Sequence, residues 1–86
     1  MLVKYRNSSQ IVINILECTQ EEIKIGTLIR KTNTNHIRLR MLLEKLTNSQ
    51  LVVKFEKDFL ITKKGREYLE SYKKFTKLAN SFGLDL

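Results

Sequence analysis

Leu39, Leu42, Leu43 and Leu46 recur at i, i+3, i+4 and i+7, a spacing that an α-helix gathers onto one side. Before the stripe stands Asn33-Thr34-Asn35, residues that tolerate left-handed backbone and cap helices, and Asn48-Ser49-Gln50 closes it. Directly after it come Leu51-Val52-Val53-Lys54-Phe55, a polar Glu56-Lys57-Asp58 and Phe59-Leu60-Ile61, the pattern of a β-hairpin with a polar tip. The middle of the chain is therefore one amphipathic helix feeding one hairpin. The other segments must fit around that pair.

Upstream, Asn7-Ser8-Ser9 offers several N-cap oxygens to the run that follows. The run reads two ways: Ile11, Ile13 and Ile15 alternate as in a strand, while Ile11, Val12, Ile15 and Leu16 follow helical spacing. Helix is favoured, because Ile15-Leu16 breaks the alternation and a cap leads the run. Thr19-Gln20-Glu21-Glu22 reads as a polar connection with a short extended piece at Ile23-Lys24, and Gly26 to Thr32 as a short helix carrying Leu28 and Ile29. Downstream, Thr62 caps a final helix that reaches Gly83, a fitting C′ residue, with Leu84 folding back on Leu78 or Ala79. Helix, helix, helix, hairpin, helix is a mainly α (α+β) order and the outline of a winged helix-turn-helix. In that arrangement the helix after the turn enters a DNA major groove and the hairpin forms a wing beside it. A plain α+β domain whose helices merely cover a hairpin has the same outline. Basic residues on the third helix favour the winged helix.

Charge enters here. The chain has 86 residues, with Lys plus Arg 16 against Asp plus Glu 9, a net +7 that points toward a polyanion. The excess is uneven: Glu56 and Asp58 cancel Lys54 and Lys57 in the hairpin, while Lys63, Lys64 and Arg66 open the last helix. No apolar run approaches the roughly 20 residues of a membrane span, and Met1 to Arg6 has no apolar stretch behind its positive charges. The expectation is a cytoplasmic, nucleoid-associated protein without membrane contact. Cys18 is a single cysteine and His36 a single histidine, which excludes an internal disulfide and a Cys- or His-based metal cluster within one chain. Glu21 and Glu22 are adjacent and point apart, and Gly26, Gly65 and Gly83 form no phosphate-cradling motif. No enzyme activity, cofactor, metal or small-molecule ligand is expected.

With the leucines inward, Ile37, Met41, Glu44 and Asn48 point outward, with Arg38 and Lys45 on one flank and Arg40 on the other. Arg38 and Arg40 suit phosphates or guanine edges. Asn35 has the chemistry to read adenine, but at a helix start it is expected to be the N-cap. Ile37 and Met41 suit thymine methyls; for Ile37, packing against the second helix is the preferred expectation. Outward Glu44 repels phosphates, so the N-terminal half of the helix goes deepest. The DNA-binding set is completed by Thr34 and His36 at the turn, Arg30 and Lys31 on the second helix, Lys54 and Lys57 on the wing, and Lys63 and Lys64 opening the last helix.

In that last helix Tyr68, Tyr72, Phe75, Ala79 and Phe82 are spaced 4, 3, 4, 3, a coiled-coil seam. About 20 residues make a rod of about 30 Å, too long for so small a body to cover. A homodimer through this helix is expected, with a helix folded back on its own domain as the alternative; residues 1–62 are the reading domain and 63–86 the dimerisation helix, packed partly on the same domain.

Several stretches also resemble a family. Ile11-Val12-Ile13-Asn14-Ile15-Leu16, Asn33-Thr34-Asn35-His36-Ile37-Arg38-Leu39, Leu42-Leu43-Glu44-Lys45-Leu46 with Leu51-Val52, and Ile61-Thr62-Lys63-Lys64-Gly65-Arg66-Glu67-Tyr68-Leu69 are similar to archaeal winged-helix DNA-binding proteins of about ten kilodaltons. The resemblance runs from about Arg6 to Tyr72. It implies a winged helix, a terminal helix paired as an antiparallel coiled coil, and binding to double-stranded DNA. Gln50 stands where that family usually has glycine, and Thr34 where it often has leucine. The resulting expectation is a transcription regulator or chromatin-type architectural protein; a winged helix that binds another protein is the alternative.

Overall fold

In the computed structural model, which describes residues 8–84, apolar periodicity and polar caps divide the chain much as the sequence suggests. The first helix, α1 (Ser8–Cys18), settles the ambiguous isoleucine run as helical. It lies between the second and fourth helices, and Ile11, Ile13, Ile15 and Leu16 are all buried. A helix covered on two sides buries residues two apart as well as four apart, which is why the run mimics a strand. Of the three cap candidates, Asn7 lies outside the described residues, and Ser8 and Ser9 are the helix's first two residues.

Thr19, expected in a polar connection, is instead fully buried. Its hydroxyl donates to the Ile15 carbonyl at 2.8 Å, and its own carbonyl accepts the Ile61 amide at 2.7 Å. The extended piece at Ile23–Lys24 is a true strand, β1, and α2 (Ile25–Thr32) follows without a break. Asn33 ends α2 in the left-handed region (φ 51°), returning its amide to the Ile29 carbonyl. Asn35 then caps α3 (His36–Asn48), its Oδ1 accepting the Arg38 amide at 2.8 Å. Two asparagines thus make the tight turn between α2 and α3. Leu39, Leu42, Leu43 and Leu46 are buried as their spacing requires.

The hairpin is β2 (Val52–Phe55) and β3 (Asp58–Ile61), paired antiparallel with Phe55 opposite Asp58. Its tip is therefore Glu56-Lys57, and Asp58 belongs to the strand. β1 pairs on the far edge of β3, giving a three-stranded antiparallel sheet in the order β1-β3-β2. Thr62 caps α4 (Lys63–Ser81), its Oγ1 accepting the Gly65 amide at 3.0 Å while its hydroxyl donates to the Gln50 carbonyl at 2.6 Å. At the other end Gly83 (φ 74°) and Leu84 return their amides to the Asn80 and Ala79 carbonyls, the paired bonds of a Schellman motif.

Gln50, between α3 and β2, adopts φ 64°. Left-handed backbone costs a residue with a Cβ about 1–2 kcal/mol, against the smaller entropic cost of glycine. The Gln50 side chain is exposed, so little else depends on it. Gln50→Gly is expected to stabilise the domain by about 0.5–1 kcal/mol, read as a higher urea midpoint with an unchanged m-value.

The radius of gyration, 13.6 Å, exceeds the about 12 Å of a compact chain of this length, and the principal extents are 43 × 35 × 19 Å.

Candidate nucleic-acid interface

Turning the leucine stripe inward leaves the opposite face of α3 open. Ile37 is 73% exposed and Met41 56% exposed. Ile37 does not pack against α2, contrary to expectation. α2 packs instead on α1 and β1, and Ile37 lies on the side of α3 opposite the leucines. Arg38 is half-buried on one flank, where a guanidinium nitrogen donates to Ser8 Oγ at 3.2 Å. On the other flank Arg40 Nε donates to Nε2 of exposed His36 at 3.0 Å, one helical turn back. Exposed Lys45 continues the first flank, and exposed Glu44 lies between it and Arg40 around the helix. The N-terminal half of α3 therefore carries guanidinium groups on both sides and apolar side chains along its middle.

The wing adds to one flank only. Arg40 and Lys54 line the same hollow, about 450 Å³, between α3 and the sheet, with Leu43, Val52 and Phe59 beneath them. Lys54 Nζ sits 6.0 Å from the Phe59 ring centroid, a cation–π distance that leaves the ammonium exposed. Lys57 is exposed at the hairpin tip beside Glu56. Val53 and Phe55, which alternate onto the outer face of β2, are 46% and 62% exposed. Sequence reasoning missed them, although their alternation with Val52 and Lys54 was a visible signal.

Other basic residues are dispersed. Arg30 is exposed on α2 and reaches Thr27 Oγ1 at 3.4 Å. Lys31 shares a hollow with Cys18, Glu21, Glu22 and Asp58, an acidic neighbourhood away from α3. Burial pushes the Cys18 thiol up, Lys31 partly offsets that shift, and Glu17 adds to it. The thiol thus stays protonated and unreactive near neutral pH. Lys63 and Lys64 are exposed in the first turn of α4, with Arg66 following, at the C-terminal end of α3. Thirteen residues of α3, about 20 Å, separate them from the turn that holds Thr34, half-buried, and Asn35, exposed but committed to its cap.

Along α4 the structure divides the expected seam. Tyr72 is half-buried against the core, beside Ile13 of α1, and Ala79 is buried under the C-terminal turn. Tyr68, Phe75, Leu78 and Phe82 are exposed, at 47%, 59%, 58% and 73%. Tyr68, Phe75 and Phe82 repeat every seven residues, with Leu78 three after Phe75, so the open stripe keeps heptad spacing but uses Leu78 in place of Tyr72 and Ala79. An exposed contact between Lys73 and Glu17, 3.8 Å, links α4 to α1 and contributes little to stability.

Among the described residues no group of three His, Cys, Asp or Glu is placed to hold a metal, and no helix is long and apolar enough to cross a membrane. A family model described as winged helix-turn-helix matches residues 5–80, a range that takes in the first three helices, the hairpin and nearly all of the fourth helix. The chain belongs to the winged helix-turn-helix family. No curated protein matches it. Among solved structures, this winged helix is similar to Sso10a-2, a DNA-binding protein from Sulfolobus solfataricus, with 18% identity and a TM-score of 0.75 over 90% of this chain and 85% of that one. At that identity the likeness is one of fold.

Proposed function

We propose that this winged helix binds double-stranded DNA as a homodimer, as a transcription regulator or chromatin-type architectural protein, with no catalytic role. The observation that carries this reading is the outward face of α3. It is free of core duties and flanked by Arg38 and Lys45 on one side and Arg40 on the other. A major groove has phosphates along both rims, so cations on both flanks of a helix suit insertion better than a single basic edge. Arg40 and Lys54 bordering one hollow bring helix and wing to the same backbone. Sso10a-2 is itself described as DNA-binding, which agrees with this assignment.

Residues 63–86 serve pairing in this reading, although Leu69 and Tyr72 also seal the core, so the division near residue 62 marks a change of role along a shared body. Arg30, His36, Lys57, Lys63 and Lys64 are peripheral phosphate contacts. Lys31 is the weakest member of the set because it faces carboxylates.

The test is duplex affinity against salt. Each neutralised phosphate adds about 0.9 to the log–log slope, so a slope of about −4 or steeper is expected. Replacing both Arg38 and Arg40 with alanine should weaken binding at least tenfold and flatten the slope by about two. No duplex binding at about 50 mM salt would sink the proposal and favour a protein partner for the same face.

A further inference from the structure

Ile37 and Met41 stand one turn apart at the middle of the α3 outward face, with Asn35, His36 and Arg38 around them in one shallow apolar hollow. Ile37, 73% exposed at the first turn of a helix, buries little of its side chain within its own domain. Its neighbours argue against a large apolar partner. Arg38 and Lys45 border the pair on one side and Arg40 on the other, and a protein surface covering the pair would have to desolvate those charges. A DNA groove meets the same pattern in register. Its rims are phosphates, and its floor, wherever a thymine occurs, presents a C5-methyl group, the one apolar feature a base pair offers there.

We infer that Ile37 and Met41 read thymine methyl groups on the floor of the major groove, so that the preferred duplex is one with thymines under the N-terminal half of α3. This rests on the DNA-binding reading. Asn35 is spent on its cap and Arg40 is held by His36, so polar base readout from this half of the helix is limited and the apolar pair carries the discrimination. Glu44, on the following turn, disfavours close phosphate approach and confines the readout to the first turns.

The experiment compares one thymine-rich duplex with the same duplex carrying deoxyuridine at every thymine, which removes the C5-methyl groups and keeps the pairing. Each contacted methyl, worth about one buried CH₂, should give about a fourfold loss of affinity on removal. The Ile37→Ala, Met41→Ala double variant should bind the thymine duplex more weakly and bind both duplexes equally. Both side chains are exposed, so the variant should fold as the parent does, checked by its thermal midpoint. Equal affinity of the parent protein for the two duplexes overturns the inference while leaving DNA binding intact. A uridine penalty that persists unchanged in the double variant also overturns it, because methyl readout then lies elsewhere. If the double variant instead changes the association state in sedimentation, the pair is a protein contact and the inference falls. Absence of binding to either duplex is a separate result that refutes the DNA reading itself.

Discussion

Gly65→Ala is expected to destabilise the domain by about 3 kcal/mol and lower its thermal midpoint by about 15 °C. Helix propensity alone predicts the opposite sign, since alanine gains up to about 1 kcal/mol over glycine inside a helix. Space decides it. A Cβ on Gly65 would overlap the Leu51 carbonyl oxygen and come within 2.7 Å of Ile61 Cγ1. The Leu51 carbonyl cannot retreat freely, because it accepts the Thr62 amide at 3.0 Å, and Ile61 is buried in the sheet. The added methyl would push the first turn of α4 away from Leu51, just ahead of β2, and from Ile61 at the end of β3. For a chain of this size, whose total stability is about 4–13 kcal/mol, that is a large share. Urea or thermal unfolding followed by far-UV circular dichroism measures it, and a neutral or stabilising result would show that α4 does not seat this closely on the hairpin.

The second large effect concerns assembly. Phe75→Gln is expected to weaken the proposed dimer about a thousandfold while leaving the fold intact. Phe75 is 59% exposed in the single chain and sits at the centre of the open stripe, between Tyr68 and Phe82. A buried phenylalanine contributes about 2 kcal/mol, and in a two-fold dimer each substitution counts twice, about 4 kcal/mol in total. Glutamine is a good helix former and carries no charge, so a change in duplex affinity reports on pairing rather than on electrostatics. Sedimentation should show the parent as a dimer at tens of micromolar and the variant as a monomer. Duplex affinity should fall with it, because two linked reading heads gain from effective concentration. A parent protein that sediments as a monomer would refute the pairing.

How much was legible in advance differs by element. The α3 stripe, both asparagine turn positions, the Thr62 cap and the Gly83 end could all be read, because each depends on residues within a turn or so of one another. The α1 run could not be read cleanly. Its alternating isoleucines serve two neighbouring helices, and nothing local announces a second partner. Ile37 was expected against α2 because exposed isoleucine is disfavoured in isolation; only the direction of the leucine face relative to α2 shows it to be open. Of the candidate contacts, Arg38, Arg40 and Lys54 fall around α3 and the wing, while Lys31 turns to carboxylates that lie apart from it in sequence.

The sequence by itself determined a winged helix with a long apolar-striped terminal helix, since periodicity and capping are short-range properties. Tertiary structure decided that Ile23–Lys24 completes the sheet on the far edge of β3, and that Gly65 is held by a close crossing. It also decided which α4 side chains remain open, withdrawing Tyr72 and Ala79 and adding Leu78. These depend on contacts between segments distant along the chain. A helix carries its spacing in its own residues, but the side it turns to solvent is set by whatever packs against it.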